Sequence, residues 1–184
     1  MGKIIVEAEM TLDGIIDGRD PGFWGQIFNY HSDDVSSYLN DLLFMPDALL
    51  MGRITYEGFA EVWPTRQGEL ADRINSMPKY VASKTLQEPL SWNAALIKGD
   101  IAEEISKLKR QFSNGLLQYG VGELTKTMLR HGLVDEMRFL VFPFSFGTGA
   151  RVFENMDMNT LKLVDTKTFS SGVVALHYQP DSKA

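Results

Sequence analysis

The segment that best predicts ligand chemistry is Gly52-Arg53-Ile54-Thr55, which directly follows the apolar run of residues 48–51. An apolar run closed by a glycine is typical of a buried strand that turns into a helix. A helix that begins here presents free backbone N–H groups beside the guanidinium and the threonine hydroxyl. These are the donors that an anionic phosphate requires. Taken alone, the segment is explained equally well by a plain turn with a solvated arginine.

Two further strand-to-helix junctions carry the same kinds of donor. Ser83 and Lys84 follow one short apolar strand, and Gly120, Gly122 and Glu123 follow another. The glycines let a backbone approach a pyrophosphate closely, and a helix that starts at Glu123 adds N–H groups. Ligands of open α/β sheets bind at the carboxyl ends of strands. Three such junctions at one end of a sheet therefore predict a nucleotide with several phosphates, such as NADPH.

A fourth segment, Asp13-Gly14, follows the first predicted strand. By itself an Asp-Gly pair indicates only a turn. Because the first strand is expected near the middle of the sheet, this loop is predicted to overhang the place where a nicotinamide would end.

Composition narrows the possible functions. The chain has 184 residues, a net charge of −6 and no cysteine, so we expect a single domain over residues 1–184 without disulfides or thiolate chemistry. The negative charge argues against nucleic acid or an anionic membrane as the main partner.

The sequence also predicts neither a metal site nor a membrane segment. His31, His131 and His177 share no metal-ligand spacing, and we expect no metal site. The acidic N-terminus does not resemble a signal peptide and no apolar run has membrane-spanning length, so we expect a cytoplasmic protein.

The elements that must position these residues alternate between short apolar strands and helices. Strands are predicted at 3–10, 48–51, 79–83, 95–97, 116–119, 137–144, 161–168 and 173–179, and helices after the N-cap Ser32 and at 55–59, 69–77, 100–110 and 123–131. This alternation predicts an α/β fold with a mainly parallel sheet and an antiparallel C-terminal hairpin.

Some aromatic residues could also take part in binding. Trp24 lies in a loop-like stretch, where it could form one wall of a substrate site. The aromatic residues of 139–146 predict core packing, with a dimer contact as the second choice.

Five motifs in this order resemble the dihydrofolate reductase-like superfamily. They are Thr-Leu-Asp-Gly, Met-Gly-Arg-x-Thr-Tyr-Glu, Lys-Tyr-Val-x-Ser, Gly-x-Gly-Glu-Leu and the stretch from Gly132 to Phe153. The chain looks most similar to stand-alone proteins that resemble the C-terminal reductase domain of the riboflavin-biosynthesis deaminase/reductase. The resemblance covers residues 3–178.

The resemblance implies a three-layer fold, a homodimer and NADPH as hydride donor. By motif match, the resemblance implies that Gly52, Arg53 and Thr55 bind cofactor phosphate, with Arg53 facing the 2′-phosphate. It places Ser83 and Lys84 on the adenosine side. It assigns the pyrophosphate to Gly120, Gly122, Glu123 and Leu124, and the loop over the nicotinamide to Asp13 and Gly14. Val121 interrupts the double glycine that the superfamily usually has at the pyrophosphate turn.

We therefore expect an NADPH-dependent reductase that passes hydride to a small heterocyclic or carbonyl substrate. The riboflavin-pathway substrate 5-amino-6-(5-phosphoribosylamino)uracil is the best template, and Arg66 or Arg151 could hold its phosphate. Asp13, Asp34 and a bound water are candidates for the proton donor.

Two alternatives stay open. Dihydrofolate reductases carry a carboxylate on the first helix, and the matching position here is near Ser36, with Asp33 and Asp34 slightly earlier. Acids at this place also simply complement a helix dipole. The second alternative is a nucleotide-binding or purely dimeric module without turnover.

Overall fold

The computed structural model describes residues 1–17 and 20–181. Its strands are β1 (Ile4–Thr11), β2 (Ile15–Asp17), β3 (Ala48–Gly52), β4 (Lys79–Ala82), β5 (Ala94–Leu96), β6 (Leu116–Tyr119), β7 (Glu136–Phe142), β8 (Ala150–Arg151), β9 (Leu161–Thr168) and β10 (Val174–Pro180). Its helices are α1 (Pro21–Asn29), α2 (Asp33–Phe44), α3 (Arg53–Val62), α4 (Glu69–Ser76), α5 (Ile101–Gln111) and α6 (Glu123–Arg130).

Eight strands form one sheet in the order β5-β4-β3-β6-β1-β7-β10-β9. The strands from β5 to β7 pair in parallel, whereas β10 pairs antiparallel with both β7 and β9. The predicted α/β class, with a mainly parallel sheet and an antiparallel C-terminal hairpin, is confirmed. The carboxyl ends of β4, β3, β6 and β1 lie next to one another, because these four strands are neighbours.

Helices cover both faces of the sheet and make it the middle of three layers. On one face, α5 and α6 pack through residues such as Ile105 and Met128 onto a buried cluster that includes Val6 and Leu50. On the other face, α2, α3 and α4 cover β3 and β6, and α1 with the start of α2 covers β7 and β10. The alternation of side chains along each strand supplies both apolar faces.

Helix α1 was not predicted, since its two glycines lower helix propensity and its sequence was interpreted as a loop. Three features offset that cost. The Asp20 side chain accepts a hydrogen bond from the backbone N–H of Gly22, a proline occupies the first turn, and Phe23 and Ile27 are fully buried one turn apart. Tertiary burial therefore decides this helix.

The loop after β1 is held by a second, two-stranded sheet that the sequence did not predict. β2 pairs antiparallel with β8, and the backbone N–H of Val152 donates to the carbonyl of Gly14 at 2.8 Å. β2 and β8 have three and two residues, too short for a periodic signal in the sequence. Other differences are small: α3 extends past its predicted end at residue 59 to Val62, and β7 ends at Phe142 rather than residue 144.

Candidate functional site

The three predicted donor junctions lie side by side at the carboxyl ends of neighbouring strands. Gly52 at the end of β3 is the register partner of Ala82 at the end of β4, which places Ser83 beside it. Gly120 follows β6 on the other side of β3. A Cβ atom built on Gly120 would lie 3.6 Å from Thr55 Oγ1, so the first and third junctions touch.

Helix α3 begins directly after β3 with an open N-terminus. Gly52 is its N-cap, and no side chain within the described residues caps the first turn. A Cβ atom on Gly52 would meet nothing within 4 Å, so packing does not demand a glycine here. The free N–H groups of the first turn, together with the partial positive charge of the helix end, favour an anion.

Arg53 lies in this first turn and is about half exposed. Its Nη1 donates to Glu57 Oε2 at 2.8 Å, one helical turn away, and the two side chains are 45% and 46% exposed. An exposed pair of this kind contributes little to stability. The guanidinium is therefore able to exchange this carboxylate for a phosphate at small cost.

The junction after β6 is built around a left-handed glycine. Gly120 has φ +77°, and its backbone N–H donates to the Glu7 carbonyl at 2.8 Å. Gln118 Nε2 donates to the Gly120 carbonyl and to Thr125 Oγ1, and Thr125 Oγ1 accepts from the N–H of Gly122. These bonds fix the turn that leads into α6, so its backbone is preorganised.

The remaining predicted cofactor residues differ in how exposed their side chains are. The Glu123 side chain is 88% exposed and lies 3.7 Å from Lys126 Nζ, whereas Leu124 is buried in the core beneath α6. Ser83 Oγ accepts hydrogen bonds from the N–H groups of Thr85 and Leu86, while Lys84 is exposed. Leu124 is thus available to a ligand only through its backbone.

Asp13 holds the loop over the sheet. Its carboxylate accepts hydrogen bonds from Thr11 Oγ1 at 2.5 Å, from Phe146 N at 3.1 Å and from Gly147 N at 2.8 Å. Led by the Thr11 hydroxyl, these donors lower the pKa of Asp13 to about 2. A carboxylate so firmly ionised and so fully engaged positions a loop and is a poor proton donor at neutral pH.

Asp34 has a similar anchoring role at the start of α2. It accepts hydrogen bonds from Ser32 Oγ, Val35 N and both the N–H and the hydroxyl of Ser170, in the turn between β9 and β10. The Ser32 hydroxyl, followed by the Ser170 N–H, lowers the pKa of Asp34 to about 2. No observation tests a catalytic part for Asp13 or Asp34, but their hydrogen bonds account for both residues structurally.

The two arginines suggested for a substrate phosphate also have local partners. Arg151 donates to the Asp13 carbonyl at 3.0 Å, and the Arg66 guanidinium lies 4.9 Å from the centre of the Trp63 ring. Trp24 lies on α1 and is 43% exposed, beside Phe28, whose ring contacts that of His31.

Sequence reasoning missed the most unusual side chains of the site. Glu7 and Glu9 lie on β1, on the same face as Ile5, and Glu7 is 3% exposed. His31 Nε2 lies 3.3 Å from Glu9 Oε1, and Tyr119 follows on β6 as the register partner of Glu7. Two acids at alternate positions of an otherwise apolar central strand were a signal available in the sequence.

One surface hollow lies apart from this site. It measures about 590 Å³ and lies between α5 and the end of α6, where Ser106, Arg110 and His131 contribute to its lining. Since α5 and α6 cover the opposite face of the sheet from Glu7, the hollow is separate from the strand junctions. No helix among residues 1–17 and 20–181 is both long and apolar enough to cross a bilayer.

Comparisons with known proteins agree with the fold. The chain is 33% identical over 182 residues to the uncharacterized protein YyaP of Bacillus subtilis (strain 168), covering 96% of this chain and 94% of that protein. A structure from Shewanella sp. PV-4, of a protein named for riboflavin biosynthesis, superposes with a TM-score of 0.79 at 23% identity, covering 97% and 99% of the two chains. A pyrimidine reductase-like protein from Corynebacterium diphtheriae superposes with a TM-score of 0.70 at 13% identity, covering 99% and 93%.

At these identities the two solved structures establish the fold alone. The family model of the RibD C-terminal domain matches residues 2–175, nearly the whole described chain. The strand order, the adjoining glycine junctions and this match together lead to one conclusion: the chain belongs to the RibD C-terminal domain family.

Proposed function

We propose that this protein is an NADPH-dependent reductase that delivers hydride to a small heterocyclic or carbonyl substrate, of the kind reduced in the riboflavin pathway. The observation that carries the proposal is the meeting of three donor-rich junctions at the carboxyl ends of β4, β3 and β6. Membership of the RibD C-terminal domain family supports it.

The residues present fit a dinucleotide that carries an additional phosphate. The open N-terminus of α3 and the preorganised Gly120 turn adjoin, so that two helix ends offer N–H groups to a pyrophosphate. Arg53 supplies a bidentate donor for a 2′-phosphate, and Lys84 adds an exposed ammonium group on the β4 side. With a net charge of −6, the protein depends on such local donors to bind an anion.

NADPH, when bound, supplies the hydride. The chain supplies position: the strand junctions fix the phosphates, while the Asp13-anchored loop covers the carboxyl end of β1. Holding the two reactants in register and excluding water accounts for most of the rate that such a site provides.

Isothermal titration calorimetry with NADPH and NADH tests the proposal. We expect NADPH to bind in the micromolar range and NADH at least about tenfold more weakly, which corresponds to about 1.4 kcal/mol. Absence of heat from both coenzymes at millimolar concentration would contradict it. Binding without consumption across a panel of imines, aldehydes and pyrimidines would instead favour the non-catalytic nucleotide-binding module.

The dihydrofolate alternative has less support. It needs a carboxylate on α2 that faces the substrate, and Asp34 is occupied by four hydrogen bonds to its own turn and to Ser170. Assays with 7,8-dihydrofolate and with the phosphoribosylaminouracil substrate, on wild type and D34N, separate the two hypotheses. A selective loss of dihydrofolate turnover in D34N would restore the alternative.

We also propose that the chain forms a homodimer, through the edge strand β9. Seven of its eight residues are exposed, and the Leu163 and Val164 side chains expose about half of their surface. The aromatic strand is not available for this purpose, because Phe139 and Phe142 are buried within the subunit.

A further inference from the structure

The apolar layer on the substrate side of the sheet is interrupted at its central strand. One buried cluster joins α2, α3 and α4 to β3 and β6, and a separate one joins α1 and α2 to β7 and β10. Between them lies β1, whose side chains on this face beyond Ile5 are Glu7, Glu9 and Thr11. The strip between the two clusters therefore consists of carboxyl and hydroxyl side chains rather than aliphatic ones, and Glu7 is buried within it.

Glu7 is the deepest of these groups. It is 3% exposed, and its Oε1 atom is buried with no hydrogen-bond partner among the described residues. A buried polar atom without a partner costs roughly 1–3 kcal/mol. The fold gains nothing visible from this carboxyl, so a ligand is the natural partner for it.

The surroundings of Glu7 favour its neutral form. Burial, and then the nearby Glu9 carboxylate, raise the pKa of Glu7 well above its ordinary value. The Tyr119 phenol beside it is also held neutral, because burial and the two carboxyl groups raise its pKa. The register partner of Glu7 on β7 is Arg138, and its guanidinium is committed to Glu136 at 2.8 Å and 3.2 Å.

Glu9 has a different environment. It lies nearer the surface, with its side chain 13% exposed, and is paired with His31. Two carboxyl groups on one strand thus have distinct surroundings, one enclosed and unpaired and the other paired near solvent. Such a division is typical of sites that need one acid and one anion.

Glu7 lies next to one of the cofactor junctions. Its carbonyl accepts the N–H of Gly120, so the residue is joined directly to the turn assigned to the pyrophosphate. The Asp13 loop follows the carboxyl end of the same strand. A substrate that enters between these two loops and displaces the side chains covering Glu7 would contact its carboxyl.

We propose that Glu7 is the proton donor of this reductase, hydrogen-bonded to the nitrogen or oxygen of the C=N or C=O group that is reduced. This inference rests on the proposed function. The hydride adds to the carbon with both electrons, the O–H bond of Glu7 breaks, and a new N–H or O–H bond forms on the substrate. Glu7 is left as a carboxylate, which takes its next proton from solvent.

The proposal also defines the substrate class. The reacting side must present a hydrogen-bond acceptor, and it must carry no anionic group, because Glu9 would repel one. A cyclic imine or a carbonyl of a neutral heterocycle satisfies both conditions, and 3,4-dihydroisoquinoline is a suitable probe.

Infrared spectroscopy tests the acid directly, without cofactor. We expect wild type at pH 7 to show the carbonyl stretch of a protonated carboxyl that is absent in E7Q and retained in E9Q. Addition of 3,4-dihydroisoquinoline is expected to shift or remove this band in wild type, as the proton is shared with the imine nitrogen. A wild-type protein without the band, or with a band that the probe leaves unchanged, would overturn the proposal.

Turnover provides the second measurement. With NADPH, E7Q is expected to reduce the probe at least about 100-fold more slowly than wild type, with the NADPH affinity changed by less than about twofold. E7D retains an acid but withdraws it by one methylene, so it should keep the band and lose most of the rate. Unchanged turnover in E7Q would overturn the assignment of Glu7 as proton donor. If wild type does not bind NADPH, the proposed function is overturned, and the infrared result still tests the protonation of Glu7 by itself.

Discussion

At the scale of single residues, Arg53 has two competing partners. In the absence of ligand it pairs with Glu57 across one turn of α3. A 2′-phosphate carries more charge than a carboxylate and matches the guanidinium bidentately. Under the proposed function, specificity for the phosphorylated coenzyme would depend on this one exchangeable side chain.

We predict that R53Q weakens NADPH binding by about 10–100-fold, the loss expected for one or more charge-assisted hydrogen bonds, and leaves NADH binding unchanged. Calorimetry with both coenzymes measures the effect. E57Q is the matched control, since it frees Arg53 without removing it and should bind NADPH as well as wild type or better. A preference for NADPH that survives in R53Q would contradict the role of Arg53.

The hydrogen bonds of Asp34 also give it a structural role, which can be tested through pH. Its folded pKa of about 2 is below the ordinary value of 3.8, so its contribution to stability is fully present above pH 4. That contribution is lost as the pH falls from about 4 to about 2, because protonation removes the acceptor. We predict that D34N lowers Tm at pH 7 and that the Tm difference from wild type narrows towards pH 2, as measured by calorimetry. Equal Tm values for D34N and wild type at pH 7 would refute the anchoring role.

At the scale of elements, the strand-to-helix junctions separate two uses of glycine. Gly120 needs its positive φ, because the turn after β6 must fold back against Thr55. Gly122 has extended backbone at φ −173°, and a Cβ atom added to it would meet nothing within 4 Å, so the fold alone does not require a glycine there. Only a bound group would be disturbed by a side chain at Gly122.

We predict that G120A destabilises the protein by about 1–2 kcal/mol, the cost of placing an L-residue in the left-handed region, and lowers Tm by about 2–4 °C per kcal/mol. G122A should leave Tm unchanged and weaken NADPH binding, because its methyl group enters the space of the pyrophosphate. Thermal unfolding and calorimetry on the same samples separate the two effects. Undiminished NADPH affinity in G122A would argue that the ligand does not approach this turn.

At the scale of the whole molecule, the sheet has one long open edge. Alternate residues of β9 direct their backbone N–H and C=O groups away from β10, where another strand could pair with them, and Lys162 and Lys167 limit nonspecific addition of other chains. A second copy of the chain would cover Leu163 and Val164 while leaving the junctions at the middle of the sheet accessible.

We predict that L163K converts the dimer to a monomer without lowering Tm strongly, since the side chain is 50% exposed in the subunit. Sedimentation velocity measures the change. T166K adds the same charge to the same strand without removing an apolar side chain, and should shift the equilibrium less. A wild type that sediments as a monomer at micromolar concentration would exclude the proposed interface.

The sequence by itself determined the strands of the main sheet, helices α2 to α6, the hairpin and the three donor junctions, but not α1, β2 or β8. These features depend on local patterns: apolar alternation, glycine after a strand, and capping residues within one or two turns. It also supported the resemblance to the family, because the five motifs are short and ordered along the chain.

Only the tertiary structure showed the surroundings of the acids. Asp13 and Asp34 are bound by residues more than 130 positions away in sequence, and no local pattern records those contacts. The burial of Glu7 and the pairing of Glu9 with His31 follow from the strand order, which places β1 in the middle of the sheet between two helical layers. The sequence gives the type of each side chain. The burial and the partners that set the pKa of that side chain come from residues that only folding brings together.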